Sequence, residues 1–419
     1  MVLVLAMALT AGPAAGRVAS SATRKEPRAR AAASNPFATR GMWIWILRDS
    51  NGGNLSSIIA KAHSRGIQTL YIKSSDGTSW FSQFNQNVVS TLEANGINVC
   101  AWQFVYGNRP SQEAQMGADA VNDGANCLVI DAEGQYEGKY SQAQTYMTQL
   151  RALIGTSFPV GLAGLPYIDY HPSFPYSIFL GPSGAQYNLP QMYWRDIGTS
   201  VNQVYAHTYF YNRLYTRPID PLGQVWENPP TSQILRFRQL MAAYGASGIS
   251  WWDWQEAPAS SWSAISRYVG PLPNAAAVPG YPTLSRGAAG DLVVWAQEHL
   301  RAAGETLTVD GGFGKQTVAA VENFQTTHRL TADGLIGSQT WAALLRYKPV
   351  YVQWAKPSVT KAPRALSSRR VTAPAVAASD TPSAQAAIET PPGTTPVPAS
   401  ALLPAKANEI PGSLGAGRP

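Results

Sequence analysis

Between Gly41 and Trp262 eight apolar runs of strand length recur, and helical patterns separate them. The runs are 42–47, 69–73, 98–104, 127–131, 159–163, 189–194, 218–220 with a continuation toward Trp226, and 248–253. The intervening stretches place apolar residues on one face, as Leu55, Ile58, Ile59 and Ala62 do, and stop at glycines such as Gly66 and Gly96. Strands apolar almost throughout fit a parallel sheet buried on both faces, and eight strand–helix units in about 225 residues are what a (β/α)8 TIM-type barrel requires. The predicted fold class is therefore α/β, with proline and glycine blurring the fifth and seventh units.

Chemistry in such a barrel sits at the C-terminal ends of the strands. The fourth run ends Ile130-Asp131-Ala132-Glu133-Gly134, and the two-residue period of a strand puts Asp131 and Glu133 on one side, roughly 6 to 7 Å apart along the chain. Paired carboxyl groups push one proton affinity up by like-charge repulsion, leaving one acid and one carboxylate, which is what glycosidic acid catalysis needs. The alternative is a pair of strand-terminal salt bridges or helix caps. Aromatic residues surround this position: Trp43, Trp45, Trp102, Trp194, Trp226, Trp251, Trp252 and Trp254 all fall in or just beyond proposed strands. Some fill the barrel, and others at the rim, with Tyr106 and Tyr193, offer flat faces suited to pyranose rings. Periodicity does not say which is which.

Ile72-Lys73-Ser74-Ser75-Asp76-Gly77-Thr78, Phe84-x-x-Asn87, Ala94-Asn95-Gly96 and Val129-Ile130-Asp131-Ala132-Glu133 together resemble the second to fourth strands of the GH25 lysozyme (muramidase) family over perhaps 70 residues. The resemblance implies cleavage between N-acetylmuramic acid and N-acetylglucosamine. Glu133 would be the general acid, Asp131 would stabilise the N-acetyl group as it attacks the anomeric carbon, and Asp253 would complete the cluster. Asp76, Trp102, Tyr106, Tyr193, Trp194 and Trp252 would contact substrate. The family opens its first strand with Gly-x-Asp, whereas this chain reads Gly41-Met42-Trp43. Asp49 is the candidate replacement, and an altered or inactive site is the alternative. Gln191-Met192-Tyr193 is similar to chitinase-like barrels with substrate-assisted catalysis, but their acidic fourth-strand motif is absent. Asp220 is a further acid without an assigned role.

A second constraint is an internal repeat. Asp310, Gly311, Gly314 and Thr317 return as Asp333, Gly334, Gly337 and Thr340, each set a glycine-bearing turn feeding a helix. An amphipathic stretch through Val293, Ala296, Gln297 and Leu300, closed by Gly304, adds a helix before the first turn. The block from Leu284 to Leu345 resembles the peptidoglycan-binding-like three-helix family, with Ala296 standing where that family usually carries leucine. The resemblance implies a small all-α domain on a cell-wall polymer.

Residues 1–36 and 351–419 together carry twelve basic and four acidic residues, and 37–350 carry 20 and 21, so the net charge of +7 belongs to the tails. A near-neutral body argues against nucleic acid as partner. An apolar run from Val2 to Ala11 followed by Gly12-Pro13-Ala14-Ala15-Gly16 is too short to span a bilayer and reads as an export signal. No other stretch predicts a membrane span. The expected order is export signal and linker (1–36), barrel (37–270), linker (271–282), three-helix domain (283–347) and a disordered Pro/Ala/Ser/Thr-rich tail (348–419).

Cys100 and Cys127 begin two strand runs, and free buried thiols are expected ahead of a disulfide, because cysteines inside neighbouring strands seldom have bridge geometry. The five histidines form no metal-binding spacing, so no metal and no organic cofactor is expected. The combined expectation is a secreted, monomeric, cell-wall-associated glycosidase whose partner is peptidoglycan or a related N-acetylated polysaccharide. The alternative is a glycan-holding protein with a degenerate barrel site.

Overall fold

A computed structural model describes residues 35–270, 272 and 280–354; the predicted export run and the tail from residue 355 lie outside the described residues. The strands are β1 (Arg40–Ile44), β2 (Thr69–Asp76), β3 (Ser79–Trp80), β4 (Asn98–Val105), β5 (Cys127–Ala132), β6 (Val160–Ala163), β7 (Tyr187–Asn188), β8 (Leu222–Gln224) and β9 (Ile249–Trp252). All except β3 pair in parallel, in the order β7-β6-β5-β4-β2-β1-β9-β8. Parallel bridges Asn188↔Ile219 and Gln191↔Leu222 join the two ends and close the barrel. The fold is the predicted α/β barrel.

The helices that cover it are α1 (Leu55–Arg65), α2 (Gln86–Ala94), α3 (Pro110–Asn122), α4 (Tyr140–Ile154), α5 (Tyr176–Phe179), α6 (Val201–Asn212), α7 (Thr231–Ala243) and α8 (Ala259–Ser266). Helix starts follow local chemistry. Asn54 accepts the Ser57 amide ahead of α1, and Ser200 and Gln203 form a reciprocal capping box at α6.

Each strand divides its side chains between two cores. Met42, Ile44, Leu70, Ile72, Ala101, Leu128 and Ile130 pack outward against helices. Trp43, Tyr71, Cys100, Trp102, Cys127, Val129, Leu189 and Leu222 point inward and fill the barrel. Both layers are apolar, so the strands read as continuous runs while the inside–outside period of two persists. One run is displaced from its predicted position: Pro190 cannot donate to a ladder, so β7 pairs before it and resumes only as a single bridge at Gln191. Strand β8 lies in the predicted continuation toward Trp226.

The interior is crowded with rings. Trp43 stacks on Tyr71 with centroids 5.0 Å apart and tilts against Trp102 at 5.5 Å. Gly41 makes room for them, because a β-carbon there would collide with Tyr71 Cε2 and lie 3.2 Å from Ser250 Cβ. Gly41→Ala should cost about 1–3 kcal/mol in a urea unfolding titration by overpacking. An unchanged midpoint would mean that the Tyr71 ring is free to move.

The expectation of free thiols is overturned: Cys100 and Cys127 form a disulfide. They stand opposite each other in the β4–β5 register, both facing inward, with Cα atoms 4.5 Å apart, inside the range a bridge accepts.

Residues 280–354 add α9 (Asp291–Ala302), α10 (Lys315–Thr327) and α11 (Ser338–Leu344). The sequence repeat becomes a repeated hydrogen-bond staple. Gln297 Nε2 donates to Asp310 Oδ1, the Gly312 carbonyl and Thr317 Oγ1, while its Oε1 accepts the amides of Asp310 and Gly311. Gln325 makes the same donations to Asp333, Leu335 and Thr340 and accepts the Gly334 amide. Gln297→Leu would orphan the Asp310 amide and the buried Gly311 amide and remove three further bonds, so a loss of about 3 kcal/mol is expected on chemical denaturation of this region. A change within about 0.5 kcal/mol would refute the staple.

Helix α9 is seated on the barrel. Asp291 accepts from Ser177 N (2.8 Å), Ser177 Oγ (2.7 Å) and Tyr215 OH (2.6 Å), and its own amide donates to the Pro172 carbonyl. Trp295 Nε1 donates to the Leu214 carbonyl at 2.8 Å. Residues 350–354 return to α4, where Gln144 bonds the Val352 carbonyl and the Trp354 amide.

Candidate active site

At the C-terminal mouth of the barrel Asp131 and Glu133 stand side by side. Asp131 continues the inward series Cys127 and Val129, and the extended backbone of Glu133 (φ −130°, ψ −155°) carries the alternation one step past the strand. Gln191 Nε2 donates to Asp131 Oδ1 and to Glu133 Oε1, each at 2.9 Å. The Gln191 backbone N–H donates to the Gly164 carbonyl, and its side-chain amide, from the sixth barrel position, clamps two acids from the fourth. Both carboxyl groups are almost completely buried, 2% and 1% exposed. Among the described residues Glu133 Oε2 has no hydrogen-bond partner.

Burial, then the neighbouring Glu133, pushes Asp131 well above the usual carboxylate range, with the Lys73 charge acting in the opposite sense. Burial also raises Glu133, against the Gln191 hydrogen bond and the His171 charge. Two buried carboxyl groups sharing one amide cannot both ionise cheaply, so the pair holds a proton more tightly than exposed carboxyl groups do. Tyr193, raised by burial and then by the charges of Asp131, Glu133, Asp253 and Asp196, lies in the same electrostatic field.

The remaining predicted residues divide. Asp76 accepts from Lys73 Nζ and from Tyr106 OH, both at 2.7 Å, and this places the Asp76–Tyr106 pair at the mouth beside Asp131. Trp252 is partly exposed and forms, with Trp43 and Trp102, an aromatic wall with centroids 5.9 and 5.4 Å away. Tyr193 is buried edge-on against Trp226. Asp253 is buried at the end of β9, accepts the Glu256 amide and is pushed up to about 8 by burial and Glu256, but it makes no hydrogen bond to the pair.

Three expectations need correction. Trp102 is fully buried, its indole donating to the Ile44 carbonyl, so it is a floor of the mouth rather than an open platform. Trp194 has the opposite parity to Tyr193 and faces the helices, donating to Gln233 and packing on Phe237. Asp49 does not replace the missing first-strand acid, because the chain turns away at Leu47–Asp49 and leaves its side chain 55% exposed beside Arg48. The interior position of that strand belongs to Trp43, whose indole donates to Ser250 Oγ. Asp220, the acid without a role, sits at the other end of the barrel, where it accepts from Ser247 Oγ and the Gly248 amide.

Two site residues were quoted in sequence motifs but given no role of their own. Gln191 shares inward parity with Tyr193 across Met192, and Lys73 is a charge at an inward position of an apolar strand. Both signals were readable as period-two parity.

Residues 289–344 match the family described as "Putative peptidoglycan binding domain". The chain therefore carries a peptidoglycan-binding domain at these positions. Among solved structures, a peptidoglycan-binding protein from Clostridioides difficile is 39% identical over 15% of this chain and 40% of its own, with a TM-score of 0.15. The Burkholderia AP3 phage endolysin is 45% identical over 15% of this chain and 25% of its own, also at 0.15. This chain thus spans less than half the length of either. A fungal endo-beta-N-acetylglucosaminidase from glycosyl hydrolase family 18 aligns over 54% of this chain and 94% of its own, at 14% identity and a TM-score of 0.42. No curated protein matches the chain.

Proposed function

We propose that this chain is an exported cell-wall glycoside hydrolase that cuts peptidoglycan glycan strands and is held on the wall by its C-terminal domain. The observation that carries the reading is the pair of buried carboxyl groups clamped by Gln191 at the barrel mouth, with Glu133 Oε2 left without a partner among the described residues. In this reading Glu133 gives its proton to the leaving glycosidic oxygen as the C–O bond breaks. The substrate acetamido oxygen closes on the anomeric carbon, Asp131 balances the positive charge on that ring, and water then opens it, returning a proton to Glu133. Tyr106 and Trp252 are the proposed sugar contacts. The peptidoglycan-binding domain supports the polymer, and the GH25 resemblance of the second to fourth strands supports the bond between N-acetylmuramic acid and N-acetylglucosamine. The Cys100–Cys127 bridge fits an oxidising compartment outside the cytosol.

Digestion of purified peptidoglycan, with mass analysis of the soluble products, tests the proposal. Muropeptides bearing new reducing sugar ends are expected. Binding to the wall without any product would instead favour a glycan-holding barrel, the reading that Trp43 in place of a first-strand acid supports.

A further inference from the structure

Lys73 is the least expected side chain in the barrel. Its ammonium-bearing side chain is 1% exposed, although a buried charge is tolerated only when it is paired. The strand itself supplies the partner. The β2–β4 register runs Lys73↔Trp102, then Ser75↔Gln103 and Asp76↔Phe104, so one extra residue is inserted between Lys73 and Ser75. Without that bulge Lys73 and Asp76 would point to opposite faces; with it, both share the inward side of Trp102 and Phe104.

Lys73 Nζ consequently lies 2.7 Å from Asp76 Oδ2, and Asp76 Oδ1 accepts from Tyr106 OH at 2.7 Å. Ring centroids of Phe81 and Trp102 at 4.9 Å and of Trp45 at 5.7 Å enclose the ammonium. The groups facing Asp131 are Glu133 on its own strand, Lys73 and Asp76 from β2, Tyr106 beyond β4, and Gln191 and Tyr193 beyond β7. Of these only Lys73 brings a positive charge. On Glu133 the corresponding influence comes from His171, in the loop after β6.

We propose that Lys73 is a positioning residue: its ammonium, held by Asp76, whose other oxygen Tyr106 holds, is the counter-charge that favours the ionised form of buried Asp131. Burial and Glu133 both oppose a charge on Asp131, and Asp76 moderates the help that Lys73 gives. The inference rests on the roles assigned to the two acids under the proposed function, and it adds the device that separates them.

The test is the titration of Asp131 in the full chain, read by carboxyl carbon NMR on aspartate-labelled protein, with Asp131→Asn identifying the resonance. Lys73→Met should raise the proton affinity of Asp131 about tenfold or more, Asp76→Asn should lower it, and Lys73→Arg should leave it near the wild type. A variant that merely loosened the site would not produce shifts of opposite sign. The acid limb of peptidoglycan turnover should move up for Lys73→Met and down for Asp76→Asn. Titrations that do not move, or that move together, overturn the assignment of Lys73. Opposite titration shifts in a protein that releases no muropeptides would leave Lys73 as proposed and defeat the hydrolase reading instead.

Discussion

Glu133→Gln should digest purified peptidoglycan about 1,000-fold more slowly than the wild type, or below detection, while still sedimenting with the insoluble wall. The amide is nearly isosteric, keeps a hydrogen-bonding partner for Gln191, and cannot give up a proton to a leaving oxygen. Its effect on stability has the opposite sign to its effect on turnover. Burial raises the proton affinity of Glu133 in the folded protein, so the fold resists its ionisation. With the folded value above the unfolded one, stability falls as pH rises from about 4.3 through the raised folded value, and glutamine escapes that loss. The variant should therefore melt at or above the wild-type temperature at pH 7, with the difference shrinking toward pH 4. Turnover at the wild-type rate would remove Glu133 as the acid. Loss of both turnover and folding would mean that the carboxyl group serves the barrel rather than the chemistry.

Replacing both cysteines, Cys100→Ala with Cys127→Ala, should cost about 3.5 kcal/mol on the loop-entropy account for a 27-residue separation. For a domain of this size the loss corresponds to a melting temperature lower by about 10 °C. The bridge joins adjacent strands directly opposite each other, in the part of the barrel filled by Val129, Trp102 and Tyr71. Alanine also empties two sulfur positions inside a close-packed interior, which adds to the loss. Scanning calorimetry of both proteins, with and without reductant present through the melt, separates these contributions. Reductant should lower the wild-type transition and leave the variant where it is. Coincident transitions for both proteins would show that the bridge adds nothing to the fold.

The barrel was legible because its strands are buried on both sides, and eight continuous apolar runs have few other ways to hide. The site was legible only as far as parity carries. Asp131 and Glu133 follow from the two-residue period, and so does the outward direction of Trp194 once Tyr193 is placed inward. Asp76 breaks the period, because a bulge is a matter of register with a neighbouring strand and leaves no mark in the residues themselves. Trp102 and Trp252 have the same chemistry and the same inward direction; only their depth in the barrel makes one a floor and the other a wall. The disulfide was missed for a related reason, since two cysteines at the start of neighbouring strands bridge only if the ladder sets them opposite.

The seating of α9 bears on how this protein can be taken apart and rebuilt. Asp291 and Trp295 belong to the segment that matches the peptidoglycan-binding family, yet their polar atoms are committed to Ser177, Tyr215 and Leu214 of the barrel. A chimera that moves residues 289–344 onto a foreign scaffold would set an indole and its apolar neighbours in water. A durable graft would need either a new host surface presenting two hydroxyls, an amide and a carbonyl at the same places, or polar substitutes at 291 and 295.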